Sequence, residues 1–193
     1  ALDGNPLAVT NPSKYLFYND CLMGIFDCTV QAKTDALYAD YAERLQKFAK
    51  HKKWGYMFAS SAALCRALAI KANLGNETHD AYKSDDKSAL TRIAATEYGE
   101  LLRRMRKFHA LFREAWLWEN KPQGFEVQDA RVGGVCGRIE GCRKTLREYL
   151  GGKIDTVAEL DEPRVDYLSG ASEFLHKQLL YNDWSTTFTG SVY

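Results

Sequence analysis

Residues 85–119 read DDKSALTRIAATEYGELLRRMRKFHALFREAWLWE, and this stretch decides the fold. Leu90, Ile93, Ala94, Tyr98, Leu101, Met105, Phe108, Phe112 and Trp116 recur mostly in steps of three and four, the spacing that lines up one face of an α-helix. Asp85 and Asp86 open the pattern, since an Asp before the first turn accepts from otherwise unpaired backbone N–H groups. A continuous helix from Lys87 to Glu119 would be roughly 50 Å long at 1.5 Å per residue. Pro122-Gln123-Gly124 stops it.

Helical patterns continue on both sides of this stretch. Upstream, Leu37, Tyr38, Tyr41, Leu45 and Phe48 form a stripe that predicts a helix to about His51, with Thr34 as its cap. A second helix, from about Trp54 to Leu74, is Ala-rich and apolar on nearly every side, which predicts a central, buried position. Asn73-Leu74-Gly75-Asn76 reads as its C-terminal stop, because Gly tolerates the left-handed backbone. Downstream, Val127, Val135, Ile139, Cys142, Leu146 and Tyr149 mark a fourth helix that runs to Gly151-Gly152. Short helices are expected near 161–172 and 173–180. In the first 33 residues, Gly4, Pro6, Pro12 and Gly24 punctuate short aromatic runs, predicting loop and one or two short helices, with Ser13 and Asp20 as caps.

The final stretch has a different texture. Trp184, Thr186 and Phe188 alternate with Ser and Thr, a β-prone pattern that needs a partner strand. The expected fold is therefore mainly α: an antiparallel helix bundle of three to five long helices with a short β-strand-like C-terminal tail. Residues 1–33 form a junction segment, 34–180 the bundle and 181–193 the tail, together one domain.

Composition bounds the function. A chain of 193 residues with 46% hydrophobic residues can bury a core without a metal or disulfide. A net charge of +1 removes the simplest case for nucleic-acid binding, despite basic runs at Arg44, Lys47, Lys50, Lys52 and Lys53 and at Arg103, Arg104, Arg106 and Lys107. Those runs read as solvated helix faces. The apolar stretch 56–72 is broken by Ser60, Ser61, Arg66 and Lys71, so no membrane span is expected. Five scattered cysteines without a C-x-x-C, and four His, point to reduced thiols, no metal site and a cytoplasmic setting. The chain opens Ala1-Leu2-Asp3 without Met, so it is expected to be a piece of a larger protein.

Candidate chemistry is sparse. No H-E-x-x-H, G-x-S-x-G, P-loop or G-x-G-x-x-G occurs, so no self-contained catalytic set and no cofactor are expected. Asp161-Glu162 lies just before Pro163 and reads as a solvated turn rather than a catalytic pair. His109, beside Phe108 and Phe112 and without a carboxylate at i+4, reads as a packed helix residue. The turn between the third and fourth helices stands out. Trp116, Trp118, Glu119, Asn120, Phe125, Gln128, Asp129 and Arg131 crowd aromatic, amide and charged groups together. Gly133 and Gly134 follow inside a helical pattern, where glycine commonly permits close approach of another backbone or a ligand. These ten residues are the candidate interface or ligand site, set against the plainer reading of a tight helix crossing.

Three segments carry a resemblance. Residues 11–20 (NPSKYLFYND) with 22–27 (LMGIFD) resemble the junction after the catalytic barrel in a bacterial branch of family 20 glycoside hydrolases, the β-N-acetylhexosaminidases. Residues 119–134 and 142–150 (CRKTLREYL) resemble helices of the same C-terminal domain, and the similarity runs from about Leu2 to Val192. The resemblance implies a parent with an upstream (β/α)₈ barrel, where an adjacent Asp-Glu pair works with the substrate's own acetamido group, an exception to the two-carboxylate scheme. That pair has no counterpart here, and Asp161-Glu162 does not match it in context. The expectation is a non-catalytic domain whose partners are the upstream barrel, a second copy where the parent forms a homodimer, and, through the parent, an N-acetylhexosaminide. The competing expectation is an autonomous helical module that recognises a protein or nucleic acid.

Overall fold

A computed structural model describes residues 12–164, with side chains from Tyr15 onward. Seven α-helices follow in order: α1 (Pro12–Tyr18), α2 (Thr34–Gln46), α3 (Gly55–Lys83), α4 (Lys87–Arg92), α5 (Tyr98–Glu119), α6 (Phe125–Leu150) and α7 (Ala158–Asp161). A 3-10 turn (Asp27–Thr29) follows α1, and a π-helical turn (Ile93–Glu97) joins α4 to α5. No strand occurs among the described residues, and the expected tail at 181–193 lies outside them.

The bundle is antiparallel. Along α3 and α5, Tyr56 meets Trp118, the Arg66 carbonyl meets Arg104, and Thr78 meets Tyr98, so one helix runs up as the other runs down. Arg66 likewise meets Gln46 of α2, and Phe125 of α6 packs on Phe112 and Trp116 of α5. Short connections of a few residues enforce this arrangement. The stripe read from residues 90–108 is the core, with Leu90, Ile93, Ala94, Tyr98, Leu101, Met105 and Phe108 all buried.

Helix α3 is the central element, and its end corrects the sequence reading. The helix does not stop at residues 73–76 but runs through Gly75 to Lys83. Gly75 is buried because the Asp27 side chain lies against it: a Cβ there would sit 2.8 Å from Asp27 Oδ1 and closer still to Oδ2. The signal that resembles a helix cap is a tertiary contact. Gly24 does the same from the other side, where a Cβ would lie 2.5 Å from Oδ2. Asp27 is 3% exposed. Its Oδ1 accepts from Asn19 Nδ2 at 2.6 Å and its Oδ2 from Arg164 Nη2 at 2.5 Å, while Asn76 Nδ2 donates to its backbone carbonyl at 3.1 Å. Burial pushes its carboxyl upward, against the pull of the Arg164 charge.

Residues 15–26 insert into the bundle rather than lying across its outside. Tyr15, Leu16, Phe17 and Tyr18 are all buried; Tyr15 stacks on Phe26 at 5.1 Å, and Phe17 meets Phe108 edge-on at 5.5 Å. Buried Lys71 of α3 donates to the carbonyls of Leu16 and Asn19, covering acceptors that the end of α1 leaves open.

Several boundaries differ from the sequence reading. Helix α2 ends at Gln46, not His51; His51 Nδ1 instead accepts from Lys53 N and Trp54 N in the turn before α3. Thr34 and Ser13 lie within α2 and α1 rather than capping them; Thr34 Oγ1 donates to the Gln31 carbonyl. Asp20 starts no helix: it accepts from Leu22 N and Met23 N in a turn. Val127 is exposed, and α6 begins at Phe125. A short helix stands at Ala158–Asp161, just before Pro163, which cannot donate to the helix ladder; of the helix expected near 161–172, residues 165–172 lie outside the described residues. The segment 173–180 lies outside the described residues.

The long helix is nearly as expected, but with a π turn inserted. Asp86 caps it by accepting from Ala89 N at 2.9 Å. At the π turn, Arg143 Nε reaches across from α6 to the Ala94 carbonyl at 3.0 Å. Gly99 gives that guanidinium room, since a Cβ there would lie 3.2 Å from it. A second crosslink joins Arg138 of α6 to Asp20 through Nε–Oδ2 at 2.6 Å and Nη2–Oδ1 at 3.1 Å, with Glu159 at 3.1 Å on the same Nη2. Burial alone would raise the Asp20 carboxyl. The Arg138 pair and the two backbone N–H groups outweigh it and hold the carboxyl well below the usual carboxylate range.

These contacts set the outcome of two stability experiments. Gly75→Ala gains about 1 kcal/mol of helix propensity but drives a methyl into an immobilised carboxylate. Urea unfolding is expected to show a net loss of about 1–3 kcal/mol. Gly137→Ala on α6, where a Cβ meets nothing within 4 Å, is expected to gain about 0.5–1 kcal/mol. Equal effects at the two sites would refute the cradle. For Asp20, a depressed folded pKa means stabilisation that is complete above the unfolded value of about 3.9 and is lost as pH falls toward the folded one. Asp20→Asn should therefore cost about 2–3 kcal/mol at pH 7 and flatten the stability profile below about pH 4. Asp27, whose shift has the opposite sign, is present in both proteins, so their difference isolates Asp20.

Candidate functional site

The α5–α6 turn is built from its own ends. The Trp116 carbonyl accepts from Asn120 N at 2.8 Å and Asn120 Nδ2 at 3.3 Å, which closes the last turn of α5. Trp116 Nε1 donates to the Lys121 carbonyl at 2.9 Å. Gly124 takes φ +94°, a left-handed backbone that favours glycine, and its N–H donates to Glu126 Oε2 at 2.7 Å. Phe125 is buried beneath it, with Phe112, Trp116 and His109 at ring-centroid distances of 5.6, 5.7 and 5.9 Å.

The ten candidate residues do not converge on one pocket. Trp116, Asn120 and Phe125 hold the turn itself together. Asp129 is 2.7 Å from His109 Nε2 across the two helices. His109 has no carboxylate at i+4, as its sequence indicates; this one comes from α6, and the ring packs on Phe125. Arg131 lies near buried Tyr18, whose hydroxyl burial pushes upward against the pull of the Arg131 charge. Gln128 is half-buried, and Gly133 and Gly134 are exposed. A Cβ on Gly133 would meet nothing within 4 Å, so no described part of this chain makes the close approach expected at that glycine.

Trp118 and Glu119 belong to a different surface. Trp118 is 73% exposed, yet its ring is stacked on Tyr56 at 5.5 Å and 13°, and the Tyr56 hydroxyl donates to Glu119 Oε1. Around the start of α3, Trp54, Met57 and Phe48 are also exposed, with Lys53 Nζ 4.7 Å over the Trp54 ring. Grouped exposed aromatics on a folded domain mark contact surfaces. The sequence reading missed Trp54, Tyr56 and Met57 because the run 54–58 (WGYMF) fits the opening of a buried helix. Its signal was the position next to Lys52 and Lys53, at the solvated mouth of that helix.

The described residues offer little for catalysis. Burial pushes the Cys21 thiol up to about 11 and those of Cys65, Cys136 and Cys142 upward as well, so none is a ready thiolate. No group of three or more His, Cys, Asp or Glu among them is placed to hold a metal ion. Asp161 accepts from the Tyr82 hydroxyl at 2.9 Å, and both Asp161 and Glu162 are exposed at a turn. No described helix is long and apolar enough to cross a membrane.

No curated protein gives a match to this sequence. A family model described as the glycoside hydrolase 20C C-terminal domain matches residues 3–179, nearly the whole chain. This agrees with the resemblance carried by residues 11–27 and 119–150, and the helical bundle is the architecture that resemblance implied. The chain belongs to the glycoside hydrolase 20C C-terminal domain family.

Proposed function

We propose that this chain is the non-catalytic C-terminal domain of a β-N-acetylhexosaminidase, linked to an upstream barrel that carries the chemistry. The barrel's Asp-Glu pair and the substrate's acetamido group would release terminal β-linked N-acetylhexosamines. The helical domain would supply a rigid wall that braces the barrel, or the same barrel's sugar site across a dimer. Family membership supports the linkage to an upstream catalytic domain. The exposed, turn-bound setting of Asp161 and Glu162 supports a non-catalytic role, because paired carboxylates need an enclosed site that separates their pKa values.

The observation that carries the contact surface is Trp118. A 73%-exposed indole held flat on Tyr56 has already lost the side-chain freedom that binding would otherwise cost. A flat apolar face beside a carboxylate suits either a sugar, with its C–H faces and hydroxyls, or a loop of the barrel.

The test uses the full-length parent. Trp118→Ala is expected to lower kcat/KM on a chromogenic β-N-acetylglucosaminide about tenfold or more, equivalent to ~1.4 kcal/mol, or to change the oligomeric state in sedimentation. Unchanged kcat/KM together with unchanged oligomeric state would remove the surface from the mechanism. The 193-residue chain alone is expected to give no turnover, and turnover by it would overturn the non-catalytic reading.

A further inference from the structure

Between α3 and α5, one turn or more away from the aromatic end, the bundle opens into a groove of about 550 Å³. Its floor is made of short side chains, Ala59 and Ala63 of α3, with Leu111 of α5. Its walls carry Arg66, Arg103, Arg104 and Lys107, with the Gln46 amide at the rim. On α5, Arg103 and Lys107 are four residues apart and Arg104 and Lys107 three, which puts them on one side of the helix. Ala59, Ala63 and Arg66 share one side of α3 in the same way. The space exists because alanines on one helix face long cations on the other.

The guanidinium groups are held in place before any ligand arrives. Arg104 donates Nη1 to the Arg66 carbonyl at 2.8 Å and Nε to Glu100 at 2.7 Å. Arg103 grips Glu100 with Nε at 2.7 Å and Nη2 at 2.6 Å, and Arg66 donates to Gln46 Oε1 at 2.8 Å, with Glu43 at 3.6 Å. Two carboxylates, Glu43 and Glu100, thus face four cations. Lys107 meets no carboxylate among the described residues, and Arg103 Nη1 and Arg104 Nη2 have no partner there. Arg103, Arg104 and Lys107 all line this one cavity, which carries an excess of positive charge.

We propose that this groove is a binding site for a tetrahedral oxyanion, a phosphate or sulfate group carried on a small molecule. Fixed guanidinium forks suit such groups, and a lysine adds a mobile point charge. The volume falls in the range of small-molecule pockets. The nearly neutral chain offers no extended basic track for a polyanion. A sugar as the carrier rests on the reading of the chain as a glycosidase domain; the oxyanion itself does not.

The experiment is calorimetric titration of the 193-residue chain with inorganic phosphate, inorganic sulfate, N-acetylglucosamine 6-phosphate, its 6-sulfate and neutral N-acetylglucosamine. At least one oxyanion is expected to bind saturably, and Lys107→Ala to weaken it tenfold or more while Lys107→Arg restores it. Lys107 is exposed and makes no ion pair among the described residues, so both variants should fold, with a thermal melt as the control. Tighter binding of the esters than of the inorganic ions supports a sugar carrier; the reverse supports a free-anion site. No binding tighter than about 10 mM, binding untouched by Lys107→Ala, equal binding of the neutral sugar, or stronger binding of an oligonucleotide would each overturn the proposal. None of these readouts involves the barrel, so failure here leaves the role of Trp118 standing.

Discussion

A buried carboxylate sets the terms for the rest of the fold. Asp27 sits between two glycines, with Asn19 and Arg164 as its polar partners. Isolated in a protein interior, such a charge costs several kcal/mol, so it is tolerated only where hydrogen bonds replace lost water. That condition fixes four separate parts of the chain at once. Asn19 must stay at the end of α1, Gly24 must bring the following turn close, Gly75 must lack a side chain in mid-helix, and Arg164 must return after α7. An interaction of this kind is poor as a source of net stability and strong as a constraint on register, because partly satisfied arrangements are worse than either extreme.

The same logic recurs where α6 joins the bundle. Arg138 holds Asp20 and Glu159, and Arg143 donates to the Ala94 carbonyl within the π turn. Apolar stripes alone would let α6 slide by a turn along α5 at modest cost, since Val132, Val135, Ile139, Cys142 and Leu146 offer similar volumes. Two guanidinium groups that each require a specific oxygen remove that freedom. Rigidity of the interior gives the bundle well-defined surfaces, on which both proposed contacts are placed. The Tyr56–Trp118 stack caps one end, and the basic groove lies where short side chains leave space between α3 and α5.

How much of this is legible in the sequence depends on the range of the interaction. Helical stripes are local, so the faces of α5 and α6 and the Asp86 cap can be read from spacing. Gly75 is misleading because a helix stop and a tertiary cradle place the same residue types in the same short window. Distinguishing them requires knowing that Asp27, 48 positions away in the sequence, points at it. The His109–Asp129 pair is invisible to an i+4 search for the same reason. The candidate turn at 116–131 is visibly unusual as a sequence, but its aromatics divide between inward packing and outward display, and amphipathic patterning does not say which way a Trp at a helix end will face. Tyr56 supplies the missing fact: it gives Trp118 something to lie on.

The residues that carried the family resemblance now have a physical meaning. Asn19, Asp20, Gly24, Phe26 and Asp27 belong to the buried carboxylate, the Arg138 crosslink or the aromatic plug around Tyr15. They hold the bundle together as scaffolding. A domain recognisable through its framework rather than through a reactive set is under a demand for shape. In a glycosidase, shape matters because the reacting centre is sensitive to displacements of about 1 Å, and a wall that neither creeps in register nor repacks can transmit alignment without sharing in the chemistry. The buried Asp27 clasp holds α1, α3 and the chain after α7 together, and so determines where the exposed ends of the bundle stand.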